Sequence, residues 1–559
     1  MAMWETLGTV RDLGRLQEIA AVLVRYGFGD LVRRIGLAET LERAGRMLHL
    51  RSSDIPPRLR TPERVRLALE ALGPSFIKLG QILATRVDLF PPDWIAEFSR
   101  LQSDVPALPW EEVVGDIEVS LGVPVAQAFA KVEPVPMAAG SLAQAHRAWL
   151  HDGTAVVLKV QRPGIGDVVD ADLRLLARLA DIVQARVPDL VRFHLPEVVA
   201  QFAASLRREL DFVSECRNAE RIARNFAGHP VLRIPAVYWE WTRSGLAVQE
   251  FLDGIPASDT VAVEQAGLDS VFLAHQGAGI VLKMVLEDGL FHADPHPGNL
   301  MFLPDGRIGL IDFGMVGRLS EQRRGEVARL MHGLARQRPG AVSDVLLDWA
   351  GGIEIDEPAL MQDIAVLVDT FRGLPLKDLR VGNMLGDITG LLRQYGLTLP
   401  PDLALMVKTF LTLDGVGRQL DPEFDMTAVA LPYLERAIAR QYRPRALWER
   451  GMAQADSWLD LANSFPRDAR QILQATRRGR LQLRIETRAM DRFGDQVQRA
   501  ANRLVVGVIT AALVVGSSIV MHSVGAHSSV WLLVLGVAGF VGAALCGMWI
   551  VFSIWRSGR

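Results

Sequence analysis

An α+β fold is predicted: a helical N-terminal extension, a two-lobed mixed body and two membrane-spanning helices at the C-terminus. Three observations predict it. The chain has 559 residues, 49% of them hydrophobic, enough for three or four structural units at roughly 150 residues each. Its texture changes from helical to mixed near Pro109. It ends in two long apolar runs, 504–521 and 530–555.

The extension, residues 1–108, reads as helices. Leu16, Ile19, Ala20 and Leu23 recur at helical spacing,. Asp54-Ile55-Pro56-Pro57 breaks the pattern, Thr61-Pro62-Glu63 reads as a helix start, and Phe90-Pro91-Pro92-Asp93 breaks it again,. In the first lobe, residues 109–254, a helix over 111–121 leads to Gly122. Two strands, 144–150 and 154–160, flank the turn His151-Asp152-Gly153, and Asp-Gly is a strong hairpin signal,. A charged helical region spans about 197–225, and 246–252 is a short apolar run. The second lobe, residues 255–435, is mostly helical. A helix over 270–287 delivers the chain to its densest motif, 291–299, and a further helix begins near Ser320.

Residues 436–503 form a basic stalk. They hold fifteen Arg and no Lys against seven Asp or Glu, in a chain whose net charge is −3. Leu481, Leu483 and Ile485 alternate there as in a strand. The near-neutral total argues against general nucleic-acid binding. A basic segment beside a bilayer is suited to anionic lipid headgroups. Each apolar run is long enough to span a bilayer. The turn 522–529 has no Lys or Arg, whereas Arg499, Arg503, Arg556 and Arg559 mark the outer flanks. By the positive-inside rule the catalytic body then faces the cytoplasm of a multi-pass inner-membrane protein. Gly539, Ala543 and Gly547 recur every fourth position, a spacing that permits close packing within the hairpin or in a homodimer. Cys216 and Cys546 are the two cysteines. No disulfide framework is readable, which fits a reducing compartment, and residues 1–25 do not read as a signal peptide.

The chemistry lies in His292-Ala293-Asp294-Pro295-His296-Pro297-Gly298-Asn299, followed by Asp312-Phe313-Gly314. Phosphoryl transfer needs a carboxylate near the attacking oxygen and oxygen ligands for Mg²⁺. A kinase catalytic loop has His-x-Asp with an Asn five positions after the Asp, and Asp294 to Asn299 has that spacing. Asp294 is the candidate catalytic carboxylate, and Asn299 and Asp312 are the candidate Mg²⁺ ligands. A competing reading gathers His292, Asp294 and His296 around a transition metal, but leaves Asn299 and Asp312 without a role. Upstream, Lys159 in Val156-Val157-Leu158-Lys159-Val160 resembles the strand lysine that grips nucleotide phosphates. It needs a Glu partner from among Glu209, Asp211 and Glu215,. No G-x-G-x-x-G precedes it. Ala138-Ala139-Gly140-Ser141 stands in that place and can cradle phosphate through backbone N–H groups,. Glu250 is a further nucleotide-binding candidate. No Walker A or dinucleotide fingerprint is present.

These motifs resemble the UbiB/AarF/ADCK family of atypical kinases over roughly residues 25–422, and the C-terminal hairpin resembles its bacterial UbiB branch. The family's K-x-G-Q signature matches Lys78-Leu79-Gly80-Gln81, its alanine-rich loop matches 138–141, and its E-x-D motif matches Glu209 and Asp211. The Glu paired with the strand Lys matches Glu215, so Lys159, Glu215 and Asp294 form the implied catalytic set. The family loop is often Ala-Ala-Ala-Ser; Gly140 departs from it and loosens the backbone. The resemblance implies a bilobal protein-kinase-like fold, ATP and Mg²⁺ as cofactors, and ATPase or small-molecule kinase activity. It also implies support of ubiquinone or related lipid synthesis, with a membrane lipid or quinone precursor and quinone-biosynthesis proteins as partners. Two other readings are a nucleotide-gated lipid-binding scaffold and a true protein kinase; no Ala-Pro-Glu follows Asp312-Phe313-Gly314 to support the latter. Lys78 and Gln81 share one helix face. That helix is expected to cover the cleft, with Lys78 meeting Glu209 or Asp211 as a regulatory contact.

Overall fold

The computed structural model describes residues 10–37, 59–101, 105–187, 195–350, 355–370 and 381–441, with scattered positions beyond. Among these, the chain opens with α1 (Val10–Arg25), α2 (Gly29–Arg34), α3 (Thr61–Leu72), α4 (Pro74–Leu83) and α5 (Pro92–Ser99). Helices α3, α4 and α5 each carry a proline in the first turn, where the missing N–H removes no intrahelical bond.

The mixed region begins with α6 (Trp110–Leu121), closed by left-handed Gly122, and the single turn α7 (Val125–Ala128). Strands β1 (Lys131–Val132), β2 (Ala138–Ala139), β3 (Ala143–Trp149) and β4 (Ala155–Gln161) follow. Then come α8 (Ile165–Arg186), α9 (Leu195–Glu209), α10 (Phe212–Asn225), β5 (Leu232–Arg233) and β6 (Leu246–Glu250). The antiparallel sheet runs β1-β3-β4-β6, with β2 also on β3. Strands β3 and β4 alternate in burial along their length, the period-two pattern of a sheet with two distinct faces. The charged stretch expected as one helix over 197–225 breaks at Leu210 and Asp211, where Asp211 caps α10 by accepting from the Val213 N–H at 3.2 Å.

The second lobe holds β7 (Ile255–Pro256), α11 (Thr260–Gln265) and α12 (Ser270–Leu282), which continues as a π-helical turn over Lys283–Asp288. Strands β8 (Leu290–His292), β9 (Leu300–Phe302), β10 (Ile308–Leu310) and β11 (Val316–Arg318) form two small sheets, β5-β10-β9-β7 and β11-β8. Six helices complete it: α13 (Glu321–Ala335), α14 (Pro339–Ala350), α15 (Glu357–Thr370), α16 (Val381–Gln394), α17 (Pro401–Leu420) and α18 (Met426–Gln441).

Among the described residues three large cores and a small cluster of Phe212, Cys216 and Ala247 hold this part of the chain. The N-lobe core packs α6 against one face of the sheet through Val113, Ile117, Val156, Leu158 and Val248. The C-lobe core joins α12, α13 and α17, among others, through Val281, Val327 and Phe410. The third core is not local: Leu16, Phe76 and Phe98 of the extension pack with Val169 and Leu173 of α8 and Phe202 of α9. The insertion α8–α9 thus belongs with the extension, and a lobe drawn at 109–254 cuts across that bundle. The structure also carries α18 to Gln441 with Ala437 buried, so the helical lobe does not stop at 435. The rest of the stalk and the runs 504–521 and 530–555 lie outside the described residues except at scattered positions. Among the described residues no helix is long and apolar enough to cross a membrane.

Candidate active site

Strand β4 is central, paired with β3 and β6 so that Lys159 lies opposite Ala145 and Ala247. Its neighbours Val156, Leu158 and Val160 point into the N-lobe core, which turns Lys159 to the other face. There its Nζ donates to Glu215 Oε1 at 2.8 Å and Oε2 at 2.9 Å, and stands 3.3 Å from Asp312 Oδ1. Glu215 lies in the first turn of α10 on the buried stripe Phe212, Glu215, Cys216, Ala219, Ile222. Helical periodicity thus carries a charged side chain to an apolar face, and Lys159 supplies its partner. Burial pushes the Glu215 carboxyl up to about 7 against the pull of Lys159. Burial also opposes charge on Lys159, but Asp312 and then Glu215 hold the ammonium protonated above its usual value.

Asp312 has φ 59, a left-handed conformation unusual for a residue with a side chain. Its Oδ1 accepts from the Gly314 N–H at 3.2 Å. Burial raises its carboxyl, yet Lys159 and Lys78 together keep it well below the usual carboxylate range. Strain at such a position is characteristic of functional sites. Here it aims a carboxylate back at the strand lysine.

Antiparallel pairing of β8 and β11 sets His292 opposite Val316. His292 is fully buried. Its Nε2 lies 3.2 Å from the Ile311 carbonyl and its Nδ1 accepts from the Asp294 N–H at 3.2 Å. Only the neutral ring protonated at Nε2 satisfies both contacts, and burial lowers its pKa accordingly. The loop is tied further by Asn299 Nδ2, which donates to the Asp294 carbonyl at 3.1 Å. That leaves Asn299 Oδ1 and the Asp312 carboxylate as hard oxygen donors of the kind Mg²⁺ takes. The transition-metal reading of His292, Asp294 and His296 fails: His292 spends both nitrogens on protein partners, and among the described residues no group of His, Cys, Asp and Glu could hold an ion.

The Asp294 carboxylate meets a residue that sequence reasoning missed. Lys408 Nζ on α17 donates to Asp294 Oδ1 at 2.9 Å, and His296 Nε2 is 3.9 Å from Oδ2. Burial raises the Asp294 carboxyl; Lys408 first, then His296, bring it below its ordinary value. The available signal was a lysine set among buried Met406, Val407, Thr409 and Phe410, where an unpaired charge is costly.

In the loop before Lys159, Ala138 and Ala139 pair with Ala145 and Gln144 of β3, and the Gly140 N–H donates to the Ala143 carbonyl at 2.8 Å. Arg162 Nε donates to the Gly140 carbonyl at 2.8 Å. Ser141 Oγ is buried without a hydrogen-bond partner. The Glu250 side chain is directed away from Lys159. It pairs with Val156 while Lys159 pairs with Ala247, so strand alternation puts the Glu250 side chain on the opposite sheet face. Its carboxylate accepts from Arg233 Nη2 at 2.5 Å and the Ala236 N–H at 3.1 Å.

Helix α4 brings Lys78 to Glu209, the last residue of α9, as an ion pair. A Cβ built on Gly314 would lie 3.5 Å from Glu209 Cγ and 3.9 Å from Glu215 Oε2, so this pair abuts the Asp-Phe-Gly turn. Burial opposes the Lys78 charge, and Glu209 followed by Asp312 raises it. Asp211 is occupied as a helix cap rather than at Lys78. Gln81 Nε2 donates to the Leu101 carbonyl at 3.0 Å. A Cβ on Gly80 would sit 2.1 Å from Leu101 Cδ1, so glycine is what lets α4 pack this close.

Comparison with known proteins places the chain in a family. The ABC1 atypical kinase-like domain matches residues 100–345, the UbiB helical domain 364–425 and the ABC1/UbiB kinase-like C-terminal domain 488–556. A probable protein kinase UbiB of Marinobacter nauticus is 37% identical over 416 residues, 73% of this chain and 76% of that relative. Another from Azotobacter vinelandii is 35% identical over 460 residues, 80% and 85% of the two chains. The Rv3197–erythromycin complex from Mycobacterium tuberculosis overlaps 65% of this chain and 89% of its own at 22% identity, with a TM-score of 0.43. On the strength of the sequence relatives and of Lys159, Glu215, Asp294, Asn299 and Asp312 standing as a kinase-like set, the chain belongs to the ABC1/UbiB family of atypical kinases.

Proposed function

We propose that the chain binds Mg²⁺–ATP and transfers its terminal phosphoryl group to water or a small lipid-borne hydroxyl in support of isoprenoid-quinone synthesis at a membrane. One observation carries this reading: Lys159 bridges Glu215 and Asp312, while Asp294 and Asn299 are hydrogen-bonded on the neighbouring loop. Asn299 and Asp312 would hold the metal, which when bound neutralises phosphate charge. Lys159 would bind the nucleotide phosphates, Glu215 would orient Lys159, and backbone N–H groups of 138–141 would line the phosphates. Asp294 would receive the acceptor's proton.

A small acceptor is favoured over a polypeptide. The chain passes from Gly314 through β11 directly to Ser320, whose Oγ caps α13 by accepting from the Arg323 N–H at 3.1 Å. No extended platform lies between them, and the Lys78–Glu209 contact abuts the same turn. Anchoring is assigned to the runs 504–521 and 530–555, with the basic stalk on anionic headgroups. A nucleotide-gated scaffold is the second reading, favoured by the clamping of α4 beside Asp312.

The test is Mg²⁺-dependent phosphate release by the purified full chain. Asp312→Asn should lower turnover about 10²-fold or more, as expected when an electrostatic anchor of the transferring group is lost. Release that persists unchanged in this variant defeats the assignment. No release from wild type with any lipid or phenol present would favour the scaffold.

A further inference from the structure

We propose that Lys408 of α17 is a catalytic residue that contacts the transferring phosphoryl group from the acceptor side of the cleft while orienting Asp294. This rests on the phosphoryl-transfer reading above. Phosphoryl transfer concentrates negative charge on the equatorial oxygens of the moving group, and fixed cations aimed at that charge supply much of the catalysis. The strand lysine, given to the nucleotide phosphates in the reading above, already contacts both oxygens of Glu215 and one of Asp312, so a second cation has room to act on the moving group. Among the described residues Lys408 has a single partner, Asp294 Oδ1 at 2.9 Å. An ammonium carries three N–H donors, so two remain. Its side chain is 19% exposed, and that of Asp294 29%, so the pair is partly open to solvent rather than sealed in the core.

Helix packing explains how the lysine arrives. Helix α17 lies against α12 and β11, and β11 pairs with β8, which leads into the catalytic loop. Its stripe Leu403, Ala404, Met406, Val407 and Phe410 enters the C-lobe core. Position 408 is thereby rotated toward Asp294, and the long stem of a lysine spans the remaining gap.

The division of labour at Asp294 follows. Lys408 takes Oδ1, leaving Oδ2 to face the acceptor hydroxyl or water. As the bond from phosphorus to the leaving diphosphate oxygen breaks, the bond to the acceptor oxygen forms. The electron pair stays on the diphosphate, and the acceptor's proton passes to Asp294. Lys408 gains and loses no proton; it remains an ammonium that donates to Asp294 and to the moving phosphoryl oxygens.

The experiment uses the full chain in lipid nanodiscs. Turnover with Mg²⁺–ATP is measured beside calorimetric affinities for Mg²⁺–ADP and a non-hydrolysable Mg²⁺–ATP analogue, for wild type, Lys408→Met and Lys408→Arg. Lys408→Met should lose about 10²-fold in turnover and about tenfold in its preference for the analogue over ADP, with ADP affinity and melting temperature held. Lys408→Arg should restore a large part of both. Unchanged turnover with an unchanged preference overturns the proposal. So does a rise in turnover, which would make the ion pair a block. Equal loss of both affinities with a lowered melting temperature assigns Lys408 to structure and also overturns it. If wild type binds nucleotide but releases no phosphate, the turnover reading fails alone, and the analogue-to-ADP preference still decides whether Lys408 reaches the terminal phosphate.

Discussion

His292 shows how one buried residue records the pH at which the fold was tuned. Its Nδ1 accepts from the Asp294 N–H and its Nε2–H faces the Ile311 carbonyl, so protonation would turn an acceptor into a donor against a donor. His146 is held similarly: it is buried, Gln144 Nε2 lies 2.8 Å from its Nε2, and its Nδ1 lies 2.9 Å from the Glu133 carbonyl. Burial lowers both rings below the usual histidine value. The unfolded chain takes up these protons near pH 6.5 while the folded chain refuses them, so stability falls as pH drops below that value. Each refused proton contributes up to about 1.4 kcal/mol per pH unit. The Glu215 carboxyl, raised to about 7, works the other way, taking up a proton in the folded state over the same range and offsetting one of the histidines,. The melting temperature is therefore expected to decline between pH 7 and 5 by less than two histidines alone would give, and to decline less still in His292→Asn. A flat profile for wild type would contradict the neutral assignment. At this scale the loop was legible in sequence, because Asp294, Asn299 and Asp312 lie within a short stretch whose spacing matches a kinase catalytic loop. Lys408 was not, since 114 residues separate it from Asp294 and no local pattern links them.

Elements that depend on nearest neighbours follow from the sequence. The hairpin β3–β4 turns at Gly153 with φ 89, as Asp152-Gly153 requires, and α13 starts at the capping Ser320. The phosphate loop behaves differently from its sequence expectation. Gly140 is not in the left-handed region, and a Cβ there would lie 3.4 Å from the Ala143 carbonyl, with no closer neighbour. Its N–H and carbonyl are both engaged, by Ala143 and Arg162. Alanine therefore fits with a shift of a few tenths of an ångström. Gly140→Ala should keep or raise stability, by up to about 1 kcal/mol, through the smaller entropy of the unfolded chain. Thermal unfolding checks this, and calorimetry with Mg²⁺–ATP and Mg²⁺–ADP reports whether a stiffer loop changes nucleotide preference. A drop of several degrees in melting temperature would show that the loop needs glycine.

The extension is fastened to the rest of the chain at both ends of its travel. Its core is shared with α8 and α9. Just past α4, Asp88 is buried, paired with Arg86, and accepts from the Leu399 N–H at 2.9 Å, immediately before Pro400, the N-cap of α17. Arg393 of α16 donates to the Val87 carbonyl. The helix bearing Lys78 and the helix bearing Lys408 are thus joined through one buried carboxylate. At this scale also belongs the membrane. A fragment ending at Gln441 keeps the whole of α18 and buried Ala437, whereas a cut after Arg436 would remove Ala437 and the rest of the last turn of α18. The 1–441 fragment is expected to stay folded and to lose membrane association on sedimentation. If it pelleted with membranes as fully as the whole chain, the C-terminal anchor would fall.

By itself the sequence determined the loop 291–299, the strand that carries Lys159, the hairpin and the helix starts. Each depends on residues close in the chain, where backbone geometry and periodicity dictate the outcome. The tertiary structure alone decided three things. Of the two acids open to Lys78, it gave Glu209 to the lysine and Asp211 to the cap of α10. It turned Glu250 to the far face of the sheet, because register with Val156, not composition, sets the direction of a strand residue,. It delivered Lys408 to Asp294, because the rotation of a helix about its axis is settled by the core it buries against, and that core is gathered from residues distant in the chain,.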